Sequence, residues 1–422
     1  MTCSSEGLGQ MSRNFHRFIR KHICRGKFRD ASRPVLINNW EATYFGFNEE
    51  KLLRIAADAQ KIGVDLMVLD DGWFGKRNSD NCSLGDWVVN RDKLPGGLDG
   101  LAQKINDMGM KFGLWFEPEM ISPDSDLYRA HPDWCIHAEG RSRTQGRRQL
   151  ILDLSKDEVC DYILTTLTGI LDETPIAYIK WDMNRNMTEV PHPSQPHRYM
   201  LNLYRILQEL TTRYPDVLFE SCSGGGGRFD AGMLCYMPQI WTSDDTDAVE
   251  RLYIQEGTSL CYPISTMGAH ISAVPNHQVG RVTPLLLRSA VAMMGRFGLE
   301  LDLNKLPEEE LRTLTEQIAF YKAHEELIHH GDLYRLVSAY GSRYAAWQIL
   351  SEDKNSFILF FFSITGRPNQ EPVRIRLQGL DSEAIYEEEN GKAFSGATLM
   401  QAGLAVDTRF DMKPFIRIFR KK

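Results

Sequence analysis

Eight short apolar runs, each followed by a polar or glycine-rich turn and then a stretch of helical period, constrain this fold most. The runs are VLINNW (35–40), VDLMVLDDGW (64–73), KFGLWFEPEM (111–120), AYIKWDMN (177–184), VLFESCSGG (217–225), IWTSDD (240–245), ISTMGAHIS (264–272) and FGLELDL (297–303). Between them lie amphipathic stretches such as EEKLLRIAADAQKIG and YMLNLYRILQELTTRY. The runs are mostly continuous rather than alternating, as expected of parallel strands covered on both faces. Eight strand–helix units in roughly 280 residues is the arithmetic of an α/β fold, the (β/α)8 TIM barrel. LILDLS (150–155) reads as a ninth strand, in a long excursion between the third and fourth barrel strands.

The flanks read differently. Residues 1–33 are basic and carry one amphipathic stretch, predicted as a lead-in helix that packs Phe15, Phe18, Ile19 and Ile23 on the domain that follows. Residues 304–330 have helical period. After Gly331 the period becomes two, in segments such as SFILFFFSIT and PFIRIFRKK, which predicts a small C-terminal antiparallel sheet domain. The expected units are therefore 1–33, a barrel over 34–330 and a sheet domain over 331–422.

A hydrophobic share of 42% with 25% charged residues is an ordinary globular composition and excludes a disordered chain. The net charge of −7, with scattered basic residues, argues against a nucleic-acid partner. No apolar run approaches the roughly 20 residues that span a bilayer, and no secretory leader is evident, so no membrane partner is expected. Eight cysteines (Cys3, Cys24, Cys82, Cys135, Cys160, Cys222, Cys235, Cys261) include no CxxC pair. They suggest neither structural zinc nor a disulfide framework, and favour a reduced, cytoplasmic setting.

In a barrel of this kind catalytic groups project from the C-terminal ends of the strands. Those ends carry Trp40 and Glu41, then Asp70, Asp71 and Trp73, then Trp115 and Glu117. Further on come Lys180, Trp181, Asp182 and Asn184, then Glu220 and Cys222 before four glycines, then Asp244, Asp245 and Asp247. Tryptophan faces stack on the C–H faces of sugars, and carboxylates accept from vicinal hydroxyls. Carboxylates converging from different strands can also serve as acid and nucleophile. Taken singly, each motif has a plainer explanation. LDDGW can end a strand, KWD can be a buried ion pair, and SDDTD can cap a helix. SCSGGGG lacks the spacing of a phosphate loop and suggests backbone held close to a ligand. The histidines (His270, His277, His329, His330) lack metal-ligand spacing. Acidic and tryptophan-rich motifs at successive strand ends are what structure alone explains poorly.

Together NNWEATYFGF, LDDGWFG, LWFEPEMISPDSDLYRAHPDW, KWDMNR, ESCSGGGGRFDAGML and WTSDDTDAVERLYIQ resemble the α-galactosidases of glycoside hydrolase family 36. The resemblance runs from about residue 5 to the end. It implies a (β/α)8 barrel and a C-terminal β-sandwich, and an exo-acting, retaining hydrolase of terminal α-galactosides that needs no cofactor or metal. By motif, Asp182 would be the nucleophile and Asp244 the acid/base. Asp70 and Asp71 would hold the 4- and 6-hydroxyls of galactose and Lys180 the 3-hydroxyl region. Trp40 and Trp115 would wall the pocket, and Arg147 would close one side. Asn184 would lie beside the nucleophile, with Cys222 and Gly224 on the 2-hydroxyl side. Lys180 is expected to favour the charged form of Asp182, and Asp182 to raise the pKa of Asp244. The family's large N-terminal β-sandwich is not expected before this barrel, which weakens the expectation of the family's tetramer and leaves other oligomers open. A raffinose- or stachyose-synthase-like transglycosylase, an α-N-acetylgalactosaminidase, and an inactive fragment or sugar-binding protein are the alternatives.

Overall fold

A computed structural model describes residues 4–422, so Cys3 lies outside the described residues. The eight apolar runs become strands β1 (Leu36–Asn38), β2 (Leu66–Leu69), β3 (Lys111–Phe116), β6 (Ile176–Trp181), β7 (Leu218–Ser221), β8 (Gln239–Trp241), β9 (Met267–Ser272) and β10 (Arg296–Glu300). They close into a barrel in the order β1-β10-β9-β8-β7-β6-β3-β2, with parallel pairing. The excursion after β3 holds the ninth strand: β5 (Leu150–Ile151) pairs antiparallel with β4 (Met120–Ile121). β2 and β7 are buried at every position, as continuous apolar runs require.

By compactness the chain divides into two units. One holds the N-terminal helix with Asp245–Gly298 and Glu308–Lys422; the other holds Cys24–Asp244 and Leu299–Pro307. In the first unit, residues after Gly331 form a six-stranded sheet, β11 (Asp332–Val337), β12 (Tyr344–Leu350), β13 (Ser356–Ser363), β18 (Lys413–Lys421), β15 (Ile385–Glu388) and β16 (Ala393–Ser395), in that order. A two-stranded sheet, β14 (Val373–Ile375) with β17 (Leu404–Val406), completes the sandwich, and one core holds Phe357, Leu359, Phe361, Ile375, Leu404 and Val406. The expected alternation fails in β13. Ile358, Phe360 and Phe362 point the other way and are buried too, because the helices Leu285–Ala292 and Glu308–His330 pack against this sheet.

The lead-in helix exists, as Leu8–Phe18 continued by a π-helical turn Ile19–Ile23; of the face expected to pack, Ile19 is buried and Phe15 and Ile23 are half-buried, but polar residues share the burial. Ser12, Arg13, His16 and Ile19 are buried, while Phe18 is exposed. Hydrogen bonds make burial of the polar residues tolerable: Ser12 Oγ donates to Leu260 O (2.6 Å) and His16 Nε2 to Ser259 O (2.8 Å). Burial pushes the His16 ring down to about 3. Among the described residues no helix is long and apolar enough to cross a membrane.

Candidate active site

Period two along the barrel strands sorts the inward side chains into layers. Leu36, Leu66, Val68, Tyr178 and Leu218 form an apolar layer. Two residues further along their strands come Asn38, Asp70, Lys180 and Glu220, in register with Trp115 on β3. One step beyond stand Glu117, Asp182 and Cys222. The same alternation that fills the barrel thus delivers a polar floor at its C-terminal end, and every residue assigned a role above lies within one compact unit.

Asp182 is buried and held on both oxygens. Its Oδ2 accepts from Trp115 Nε1 (3.1 Å) and Asn184 Nδ2 (2.8 Å), and its Oδ1 accepts from the Met183 N–H (2.8 Å). Asn184 Oδ1 accepts in turn from the Gly224 N–H (3.1 Å). Lys180 hydrogen-bonds to Asp70, while the charge of Asp182 also acts on it. Its Nζ donates to Asp70 Oδ2 (2.8 Å), which also accepts from Asn38 Nδ2 (2.6 Å). Burial opposes the lysine's charge, but Asp70 outweighs it and the ammonium pKa stands well above its usual value. The plainer reading of KWD as an ion pair is therefore half realised, across strands. Asp71 is gripped by Arg77, whose Nε (2.9 Å) and Nη2 (2.8 Å) reach its two oxygens. Burial still moves its carboxyl upward, against that guanidinium.

Asp244 follows β8, and its Oδ1 accepts from Trp241 Nε1 (2.9 Å). Burial first, and the charge of Asp182 second, raise its carboxyl above the ordinary range, while Lys180 pulls the other way. Its neighbours in SDDTD do the capping. Asp247 accepts from the Val249 and Glu250 N–H groups at the start of the helix Ala248–Thr258, and Asp245 accepts from the Asp247 N–H. The capping reading of that motif thus holds for Asp247.

Part of the glycine run lies against protein backbone. Gly225 has φ +81°, and a Cβ there would stand 2.7 Å from Asp244 N and from Ser243 Cα; one on Gly226 would stand 2.5 Å from Thr242 O. The loop is squeezed against the backbone that presents Asp244. Cys222 is buried, and burial, then the charge of Asp182, pushes its thiol well up.

Four of the tryptophans are tied into the site by their indole N–H groups. Trp73, Trp115, Trp181 and Trp241 are buried and act as donors: Trp73 to Trp115 O (2.9 Å), Trp115 to Asp182, Trp181 to Glu119 (2.8 Å) and Trp241 to Asp244. Trp40, at the start of the short helix Trp40–Thr43, is partly exposed and meets Tyr44 and Phe45 edge-on, with ring centroids at 5.2 Å in each case. Arg147 sits in the excursion with φ +50° and an exposed side chain. Sequence reasoning missed Asn38, Arg77 and Glu300, whose buried charge acts on both Lys180 and Asp244. Period two before Trp40 marks Asn38, and the run FGLELDL contains Glu300. Nothing local marks Arg77.

Residues 1–331 match the family profile described as Melibiase, and residues 344–416 match the glycosyl hydrolase family 36 C-terminal domain. The chain belongs to glycoside hydrolase family 36. Among its relatives, the α-galactosidase AgaA of Geobacillus stearothermophilus is 55% identical over 417 residues, which is 97% of this chain and 57% of AgaA. The bifunctional α-galactosidase/sucrose kinase AgaSK of Mediterraneibacter gnavus is 49% identical over 96% of this chain and 43% of its own. A crystal structure of doubly substituted AgaA in complex with raffinose superposes with a TM-score of 0.97 at 53% identity, covering 99% of this chain and 59% of that one. The chain thus spans about half the length of the relatives it matches. The barrel and sandwich drawn from the motifs are those of the family 36 structures.

Proposed function

We propose that this chain is an exo-acting, retaining α-galactosidase that removes terminal α-galactosyl residues from oligosaccharides of the raffinose and melibiose type. The observation that carries the reading is the unequal treatment of two neighbouring carboxyls. Asp182 is held in place by three donors. Asp244, partly starved of solvent and facing that anion, is raised, which suits an acid. Double displacement uses both states. Asp182 attacks the anomeric carbon while Asp244 protonates the departing oxygen; Asp244 then takes a proton from the water that releases galactose. Around them, Asp70 with Lys180 and Asp71 with Arg77 offer hydrogen-bonding groups for the hydroxyls of one sugar. Trp40, Trp115, Asn184, Cys222, Gly224 and Arg147 complete the proposed binding residues, of which Trp115 and Asn184 act through Asp182.

Family membership and the raffinose complex of the related AgaA support this substrate class. We assign the chemistry to the barrel of 34–330, the sheet domain to 331–422 and the lead-in to 1–33. The described cysteines are all free, in keeping with a reduced cytoplasmic setting. The test is hydrolysis of an aryl α-galactoside by this chain, followed by NMR during the first turnovers. α-Galactose as the first product supports the reading; β-galactose first, or no hydrolysis at all, overturns it.

A further inference from the structure

Glu117 stands just past β3, is fully buried, and has no part in the two-carboxyl scheme above. Its Oε1 accepts the Asn184 N–H (2.5 Å), and its Oε2 lies 3.2 Å from Nε2 of the buried Gln149. Asn184 is the link between the nucleophile and the glycine loop, through its contacts to Asp182 and Gly224. The orientation of its amide is settled, because the Gly224 N–H can only donate. Gln149 presents the opposite situation: its Oε1 is buried without a hydrogen-bond partner. Turning that amide over, which leaves its shape unchanged, brings the oxygen to Glu117. There it finds a donor only when Glu117 carries a proton.

The charged groups acting on Glu117 are Asp182 past β6 and Arg77 after β2, and the Arg77 fork is already committed to both oxygens of Asp71. Burial, followed by the charge of Asp182, raises the Glu117 carboxyl to about 8, against the Asn184 N–H and Arg77.

We propose that Glu117 is the positioning residue of the nucleophile, a neutral carboxylic acid that receives the Asn184 N–H on one oxygen and donates its proton to Gln149 from the other. The proposal rests on Asp182 being the nucleophile. A neutral Glu117 fixes Asn184, and through it Asp182 Oδ2, without setting a second full charge beside the anion. Glutamine mimics this form, with one acceptor and one donor.

The test compares Glu117→Gln and Glu117→Ala in the whole chain. In the folded protein Glu117 keeps its proton to about 8, whereas an unperturbed glutamate releases it near 4.5. Between those values the native state binds more protons than the unfolded one, so this contribution to stability is lost as pH rises. Wild-type protein should therefore lose thermal stability relative to Glu117→Gln as pH rises from about 5 to about 8. In kinetics at pH 6, Glu117→Ala should lower kcat by roughly 100-fold, as a displaced catalytic group does, with KM little changed. Glu117→Gln should restore most of that loss. Parallel stability curves, or a Gln variant as slow as the Ala one, would mean that Glu117 works as an anion and would overturn the proposal. If no form hydrolyses α-galactosides, the functional reading fails, and the stability comparison still decides the protonation state.

Discussion

Asp182 and Asp244 are told apart by their surroundings, and two substitutions read that difference. Asp182→Ala removes the group proposed to bond to galactose, so turnover should fall by roughly 10⁴-fold or more while galactose still binds. Azide should restore part of the activity by forming β-galactosyl azide. Near-wild-type turnover in Asp182→Ala would put the nucleophile elsewhere. For Asp244 the discriminating variable is the leaving group. An acid matters in proportion to how poor that group is, so Asp244→Ala should slow melibiose hydrolysis by about 10²–10⁴-fold and spare intermediate formation from a low-pKa aryl galactoside. Asp245→Ala should weaken both substrates alike, since that carboxylate is engaged by the Asp247 N–H in the turn before a helix. The sign of the pH effect follows from the raised carboxyl. Asp244 must be protonated to act, so wild-type kcat/KM should fall as pH rises, with its limb above the ordinary aspartate range. At this scale the motifs marked the candidate carboxylates. They did not show what holds them: Arg77 meets Asp71 only because the loop after β2 folds back, and no spacing encodes that.

Elements carry what single residues cannot. The barrel was legible because continuous apolar runs and amphipathic stretches alternate in a strict order, and each observed strand falls within or at the edge of its run. The lead-in helix was legible as a helix but not in the polar part of its buried face. The carbonyls of Leu260 and Ser259 that accept from Ser12 and His16 lie far along the chain, and sequence pattern carries no record of them. The glycine loop is similar: four glycines signal close approach, while the partner emerges only in three dimensions. Gly225→Ala tests that partner. Its added Cβ would meet the Ser243–Asp244 backbone at a positive φ, so the segment bearing the proposed acid must move. A shift of this kind should lower kcat on melibiose by roughly 100-fold. Gly169→Ala is the contrast. It lies inside the helix Asp157–Glu173 with nothing within 4 Å of the new Cβ. It should leave kinetics unchanged and stabilise the protein by about 0.5–1 kcal/mol, measured by denaturant unfolding. If Gly225→Ala is kinetically as silent as Gly169→Ala, the loop does not position Asp244.

Gly331 marks the change of sequence period, yet the hydrogen bonds within one compact unit run straight across it. Arg335 donates to Ser259 O (2.7 Å) and Ser12 Oγ (2.7 Å), and the Ala339 N–H donates to Glu256 Oε2 (2.7 Å). Arg17 forms an ion pair with Asp332, and Arg13 lies 4.0 Å over the Tyr334 ring. Ser12, Ser259 and Glu256 are buried, so removing 331–422 would strip partners from groups with little access to water. Each such loss costs about 1–3 kcal/mol, and the helices Leu285–Ala292 and Glu308–His330 would lose the sheet they pack on. Against a total stability of about 5–15 kcal/mol, that is enough to unfold the remainder. Period reports local backbone geometry; cooperativity depends on contacts between segments distant in sequence, which is why the boundary is visible in one and absent from the other. A chain ending at residue 330 should therefore show no cooperative thermal transition by circular dichroism and should have exposed apolar surface that binds a hydrophobic dye, whereas the 422-residue chain melts cooperatively. A truncated form that melts as sharply as the whole chain would show that the barrel folds without the sheet domain, and that the change of period at Gly331 is an energetic boundary as well.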